Sequence, residues 1–116
     1  MLISAVFAVL HGCASSSPET AVREFLEAAL KGNLKRMAHL TVEGKLEDYR
    51  GGERFLGNWN ARYRVTRLAL KKNRSVAMVE LSVDDKRVEI PYVCLKKEGK
   101  WKVSLAETMK AWEEGV

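Results

Sequence analysis

The sequence predicts an α+β domain with N-terminal helices packed on a curved, four-stranded antiparallel meander sheet. Three observations predict it. Apolar residues recur at spacings of three and four over residues 18–40, they alternate with polar ones over residues 61–105, and short turn signals separate the alternating runs. Helices that come first, followed by strands joined through tight turns, place the helices against one side of a sheet.

The first helix is expected to open at Ser17 as N-cap, with Pro18 at the first helical position and Glu19 complementing the helix dipole. Val22, Phe25, Leu26, Ala29 and Leu30 then form one apolar stripe, and Gly32 ends it. Asn33 caps a shorter second helix whose inward face is expected to be Leu34, Met37, Ala38 and Leu40, with one or two further turns between Thr41 and Tyr49. Gly51, Gly52 and Gly57 mark a loop.

Tyr63 and Val65 begin the first strand, but Leu68 and Leu70 fall on the opposite parity. A strand keeps one face inward only if an extra residue is inserted, so a bulge is expected near Thr66 or Arg67. Ala77, Val79, Leu81 and Val83 share one face of the second strand, and Asp84-Asp85 turns the chain. The third strand carries Val88 and Ile90 inward; Pro91 has no N–H to donate, so it marks an edge or another bulge before Val93 and Leu95. Bulges in two strands would curl the sheet around the first helix. Glu98-Gly99 is a turn, and Trp101, Val103 and Leu105 alternate with Lys100, Lys102 and Ser104 in the last strand. Leu105, Met109 and Trp112 predict a short C-terminal helix laid against the core.

Ahead of this domain, the run Leu2 to Leu10 is apolar but for Ser4, ends in Leu10-His11-Gly12-Cys13, and is followed by Ala14-Ser15-Ser16-Ser17. It is far short of the roughly 20 residues of a spanning helix. The segment resembles a bacterial lipoprotein signal peptide with its lipobox. The resemblance implies a signal over residues 1–12, acylation at Cys13 with two or three chains, a lipidated tether over residues 13–17 and a domain over residues 18–116. It implies the cell envelope as location with the membrane as partner, and the outer membrane in a diderm cell, since Ala14 and Ser15 carry no retention signal. The alternatives are an ordinary secretory signal cut after Ala14 and an unprocessed N-terminus.

The length after residue 12 supports one domain with one modest core. The formal net charge is +5 with a sequence pI ≈ 9.4. The cations gather at expected hairpin ends (Lys71, Lys72, Arg74; Lys96, Lys97) without interleaved aromatics, so anionic head groups or cell-wall polymers are expected as their counterpart and nucleic acid is not. With Cys13 acylated, Cys94 stands alone in an apolar strand, where a thiol behaves as a small hydrophobe.

Residues 18–33 (PETAVREFLEAALKGN) and 93–103 (VCLKKEGKWKV) resemble the opening and closing segments of small exported lipoproteins in the cystatin-like, nuclear-transport-factor-2-like superfamily. The resemblance implies a cone-shaped sheet with a pocket at its open end, used in different members for binding, dimerisation or catalysis. Trp59, Tyr63, Tyr49 and Trp112 are the candidate pocket or contact residues. A ketosteroid-isomerase-like enzyme would need a carboxylate inside the cone beside a tyrosine or a protonated acid. Asp48 adjoins a loop, Asp84 and Asp85 lie in a turn, and Glu80 and Glu89 oppose apolar neighbours, so no acid is expected on an inward face and no catalytic residue is assigned. His39 has no companion ligands, so no metal and no cofactor are expected. The expectation is a non-catalytic binding or accessory module for a small apolar ligand or a protein partner, monomeric or weakly homodimeric. An enzyme acting on a small hydrophobic substrate, or a structural protein adhering to anionic polymers, is the alternative.

Overall fold

The computed structural model describes residues 17–45 and 61–114. In chain order these form α1 (Pro18–Leu30), α2 (Leu34–His39), β1 (Ala61–Lys71), β2 (Arg74–Val83), β3 (Lys86–Lys97), β4 (Lys100–Val103) and α3 (Leu105–Glu114). The strands are antiparallel in the order β1-β2-β3-β4, each paired with the next, which is the expected meander. No described helix is long and apolar enough to cross a membrane.

Both ends of α1 are fixed by local chemistry. The Ser17 hydroxyl accepts the Thr20 N–H at 3.1 Å from extended backbone, and Pro18 follows at a position whose missing N–H costs nothing. At the other end Gly32 adopts φ 69, the Asn33 N–H donates to Ala28 at 2.8 Å and the Gly32 N–H to Ala29 at 3.0 Å. That pair of bonds is a Schellman closure, which satisfies carbonyls the helix would otherwise leave orphaned. Between these ends Val22, Phe25, Leu26 and Ala29 are buried against the inner face of the sheet, as the stripe predicts. Complete burial of a Phe, Leu or Val side chain stabilises by about 1.5–3 kcal/mol. Met37 and Leu40 of the following segment join this core, but Leu34 is exposed. A helix of six residues has only one side to bury, and Leu34 sits at its start beside the exposed cap Asn33.

The expected bulge lies in β1, where the register shifts between Val65 and Arg67. Tyr63 and Val65 oppose Leu81 and Val79, while Leu68 and Leu70 oppose Ala77 and Ser75, so the inserted residue does keep one parity inward. Leu68 and Leu70 are nonetheless 41% and 58% exposed. They belong to the inner face but lie on the outermost strand beyond the cover of α1. At Pro91 the register with β2 is unbroken, so a second bulge is absent and Pro91 marks an edge. The turns at Asp84 and Glu98-Gly99 form where expected, with Glu98 at φ 52 and Gly99 at φ 79.

Two segments cover exposed sheet edges. Residues 40–42 run beside β4, with the Val103 N–H donating to Leu40 at 3.1 Å and the Val42 N–H to Val103 at 2.8 Å. The C-terminal helix α3 follows β3 past the end of β4. Its buried side is Leu105, Thr108 and Ala111, whereas the expected anchors Met109 and Trp112 are largely exposed. Leu105 joins the core under α1, whereas Ala111 forms a small cluster with Val76 and Val93 on the outer face, so α3 is attached to the core at its start and to the outer face further along. This accounts for the apolar Val76 and Val93 on the outer face, which Met78, Pro91 and Leu95 share.

Candidate binding site

An open cleft of ≈ 420 Å³ lies between α1, the start of α2 and β1. Arg23, Glu27 and Lys31 recur every fourth residue and therefore form one ridge along α1, with Glu24 and Ala28 beside it. Asn33 and Arg36 close one side, and Tyr63 closes another. The parity of β1 before its bulge turns Tyr63 toward α1, where the ring packs against the core and the hydroxyl donates to Glu27 Oε2 at 2.7 Å. Burial of the ring, the bond to Glu27 and the Glu27 charge push the Tyr63 pKa up to about 12, with Arg23 pulling the other way. The phenol is therefore a neutral donor throughout the physiological range.

Arg36 approaches Glu24 at 3.7 Å, so the cleft holds three cations and two carboxylates in alternation. Such a lining can recognise a polar or zwitterionic group by several directed contacts. It is poorly arranged for proton transfer, because the single phenol proton of Tyr63 is already given to Glu27 and Glu27 itself is exposed. The remaining acids lie elsewhere. Glu80 pairs with Arg64 at 3.2 Å on the outer face, Glu89 accepts from the Thr66 hydroxyl at 3.2 Å on the same face, and Asp84 and Asp85 are exposed in their turn. Among the described residues, the inner face of the sheet carries no carboxylate.

Of the residues the sequence singles out, Tyr63 lies in the cleft. Trp112 lies on α3, 44% exposed, donating its indole N–H to the Pro91 carbonyl at 2.6 Å and meeting Tyr92 edge-on with 5.8 Å between centroids. Cys13, Asp48, Tyr49 and Trp59 lie outside the described residues. His39 is exposed at the end of α2, on the rim of a second open depression, of ≈ 530 Å³, that also includes Lys35 and Gly44. Among the described residues no three His, Cys, Asp or Glu side chains converge as metal ligands would. Cys94 is wholly buried, and burial pushes its thiol up to about 12, which leaves it protonated and unreactive.

Sequence reasoning missed Glu27, Lys31 and Arg36 as lining residues. The available signal was the four-residue spacing of opposite charges at Arg23, Glu27 and Lys31, which puts them on one ridge of α1. It also missed Glu43, whose carboxylate accepts the Leu105 and Ala106 N–H groups at 2.9 and 3.1 Å and so caps the start of α3.

No protein-family model matches the chain, and no match is found among curated proteins. Solved structures do resemble it. A proposed NTF2-like transpeptidase from Campylobacter jejuni superposes with a TM-score of 0.57 at 14% identity, over 77% of this chain and 98% of that one. An NTF2-like protein of unknown function from Shewanella baltica OS155 gives 0.53 at 18% identity, over 72% and 83%. A de novo designed protein with a curved β-sheet gives 0.56 at 13% identity, over 75% and 93%. At these identities the likeness is one of backbone architecture, and it extends to a designed protein with a curved β-sheet. The described domain therefore has the NTF2-like fold, a curved antiparallel sheet closed on its inner side by helices.

Proposed function

We propose that the chain is a membrane-anchored envelope lipoprotein, acylated at Cys13, whose domain is a non-catalytic binding or accessory module. The observation that carries the binding role is the cleft bounded by Tyr63, with an oriented neutral phenol held by Glu27 among Arg23, Lys31 and Arg36. Its charged lining favours a protein partner or a polar ligand over the apolar ligand expected from the sequence, because an apolar group there would strip water from charges without replacing it. The inner face supports the same preference, since Phe25, Leu26 and Val79 already fill its centre. Anchoring is supported by the apolar run and lipobox-like residues 10–13.

Two measurements test this reading. Intact mass of the protein extracted from membranes of its own host should correspond to a chain starting at Cys13 with acyl chains, lost in Cys13→Ser; an unprocessed chain starting at Met1 refutes the anchoring. Native mass spectrometry of the same preparation should show a stoichiometric partner or ligand that dissociates in Arg36→Glu/Tyr63→Ala. A companion retained by that variant refutes the cleft as the binding site.

A further inference from the structure

In a meander, the turn joining β1 to β2 and the turn joining β3 to β4 lie at the same end of the sheet. Here they also touch: the Lys96 N–H donates to the Asn73 carbonyl at 2.8 Å. The two turns bring Lys71, Lys72 and Arg74 beside Lys96, Lys97 and Lys100, all exposed, with Glu98 the acid among them. Arg74 approaches Glu107 at 3.6 Å and Lys96 stands 6.0 Å from the centre of the Trp101 ring. Lys71, Lys72, Lys97 and Lys100 have no ion-pair partner among the described residues. At the opposite end of the sheet the turn after β2 balances Asp84 and Asp85 against Lys86 and Arg87. Arg62, opposite Ser82, adds one exposed cation there, so positive charge is denser at the end formed by the two lysine-rich turns, the cationic end of the domain.

The N-terminus of α1 opens at the cationic end. The Cys94 Sγ lies 3.8 Å from the Pro18 carbonyl oxygen, and Cys94 pairs with Ser75, the neighbour of Arg74. Three residues lie between Cys13 and Ser17, so the four steps of chain span at most about 14 Å. Electrostatic attraction to a charged surface extends over a comparable distance, about 8 Å at physiological salt.

We infer that the end of the sheet formed by these two turns is a docking surface for an anionic phospholipid bilayer, which holds the domain upright on its membrane. The inference deepens the lipoprotein reading and rests on it for the short tether; the cationic surface stands on geometry alone. Its consequence is orientation. Tyr63 opposes Leu81, near the far turn, so the cleft is held away from the bilayer and open to partners in the aqueous phase.

The test uses the full chain bearing Cys13→Ser, so that acyl chains contribute nothing, and vesicles of phosphatidylcholine with or without phosphatidylglycerol. A variant with Lys71, Lys72, Lys97 and Lys100 all changed to Gln is compared with a control in which Lys35, Lys86, Arg87 and Lys110 are changed to Gln, which removes the same charge elsewhere. Each cation at an anionic surface strengthens binding about fivefold. The first variant should therefore lose from about twenty-fivefold, if two of its four lysines reach the surface, to about six-hundredfold, if all do, in affinity for the anionic vesicles, and the control less than about fivefold. Circular dichroism confirms that both are folded. Without any variant, raising the salt should release the parent chain from anionic vesicles and leave its binding to neutral ones unchanged. Equal losses in the two variants, or no preference of the parent for phosphatidylglycerol, overturns the inference. Acylation is read separately by intact mass, so a lipidated chain with no such preference sinks the docking surface alone.

Discussion

The helices α1 and α3 attach to the same sheet by different physics. α1 lies across the inner face and is held by area: Val22, Phe25 and Leu26 are wholly or almost wholly buried, and Phe25 meets Tyr92 with 6.2 Å between ring centroids. α3 lies along an edge and is held by directed bonds. The Thr108 hydroxyl accepts the Val93 N–H at 2.9 Å and lies 3.4 Å from the Val93 carbonyl, the Trp112 indole donates to Pro91, and Glu43 caps the helix start. Where β4 ends, β3 would present unpaired backbone groups; α3 supplies the partners a fifth strand would have supplied, and Pro91 needs one fewer because it has no N–H. Attachment by area tolerates small shifts in geometry, whereas attachment by edge bonds depends on particular atoms.

The largest way to break this contrast is in α1. Phe25→Ala should lower stability by about 3–5 kcal/mol in urea denaturation, through lost transfer energy and the cavity left behind. For α3 the decisive change preserves shape. Thr108→Val replaces the hydroxyl by a methyl, leaves the buried Val93 N–H without its partner, and should cost about 1–3 kcal/mol, while Thr108→Ser should recover most of it. If Thr108→Val is as stable as the parent, α3 is held by the Ala111, Val76 and Val93 cluster and the contrast collapses.

The same contrast decides what could be read from the sequence. The facing of α1 was legible because area burial writes a 3.6-residue period, and both caps use residues at fixed offsets, Ser17 with Pro18 and Gly32 with Asn33. The bulge in β1 was legible because the apolar parity switches between Val65 and Leu68. The facing of α3 was legible only in part: Leu105 enters the core and Trp112 meets Tyr92, but Met109 is exposed, and the edge calls for a hydroxyl at 108 and a small residue at 111 that the apolar spacing does not announce. Nothing local announces Glu43 as the cap of a helix that begins at Leu105. Leu68 and Leu70 show a further limit: parity assigns a face, but cover depends on where α1 lies across that face. At the cleft Tyr63 was singled out only as one of several aromatics that could line a pocket of the implied cone, whereas its partner Glu27 is fixed by the tertiary packing of α1.

Smaller effects sharpen the comparison at the helix ends. Gly32→Ala should cost about 1–2 kcal/mol, because φ 69 crowds a Cβ against the following carbonyl, and thermal unfolding reads the change. Trp112→Phe keeps an aromatic ring against Tyr92 but removes the donor to Pro91, for an expected loss of about 0.5–1.5 kcal/mol. Hydrogen exchange should then show α3 opening more readily while α1 keeps its protection; equal loosening of both helices would mean that they unfold as one unit.

The smallest effect at neutral pH concerns Tyr63, which joins the area-held region to the cleft. Its pKa rises from 10.0 to about 12 in the folded chain, so the folded state retains a proton that the unfolded state has lost in that interval. Stability from this group is complete below pH 10 and is lost as the pH climbs through 12, so the expected signature is alkaline weakening with no change near neutrality. Burial is the leading cause, and the bond to Glu27 and its charge come after it. Glu27→Gln keeps the burial and removes the charge, so phenolate absorbance should place the Tyr63 midpoint lower than in the parent but still above 10. Comparison with Tyr63→Phe assigns the late-titrating signal to this residue. A midpoint unmoved by Glu27→Gln would show that the 2.7 Å bond does not form in solution, and the cleft would then have to be rebuilt around an unrestrained phenol.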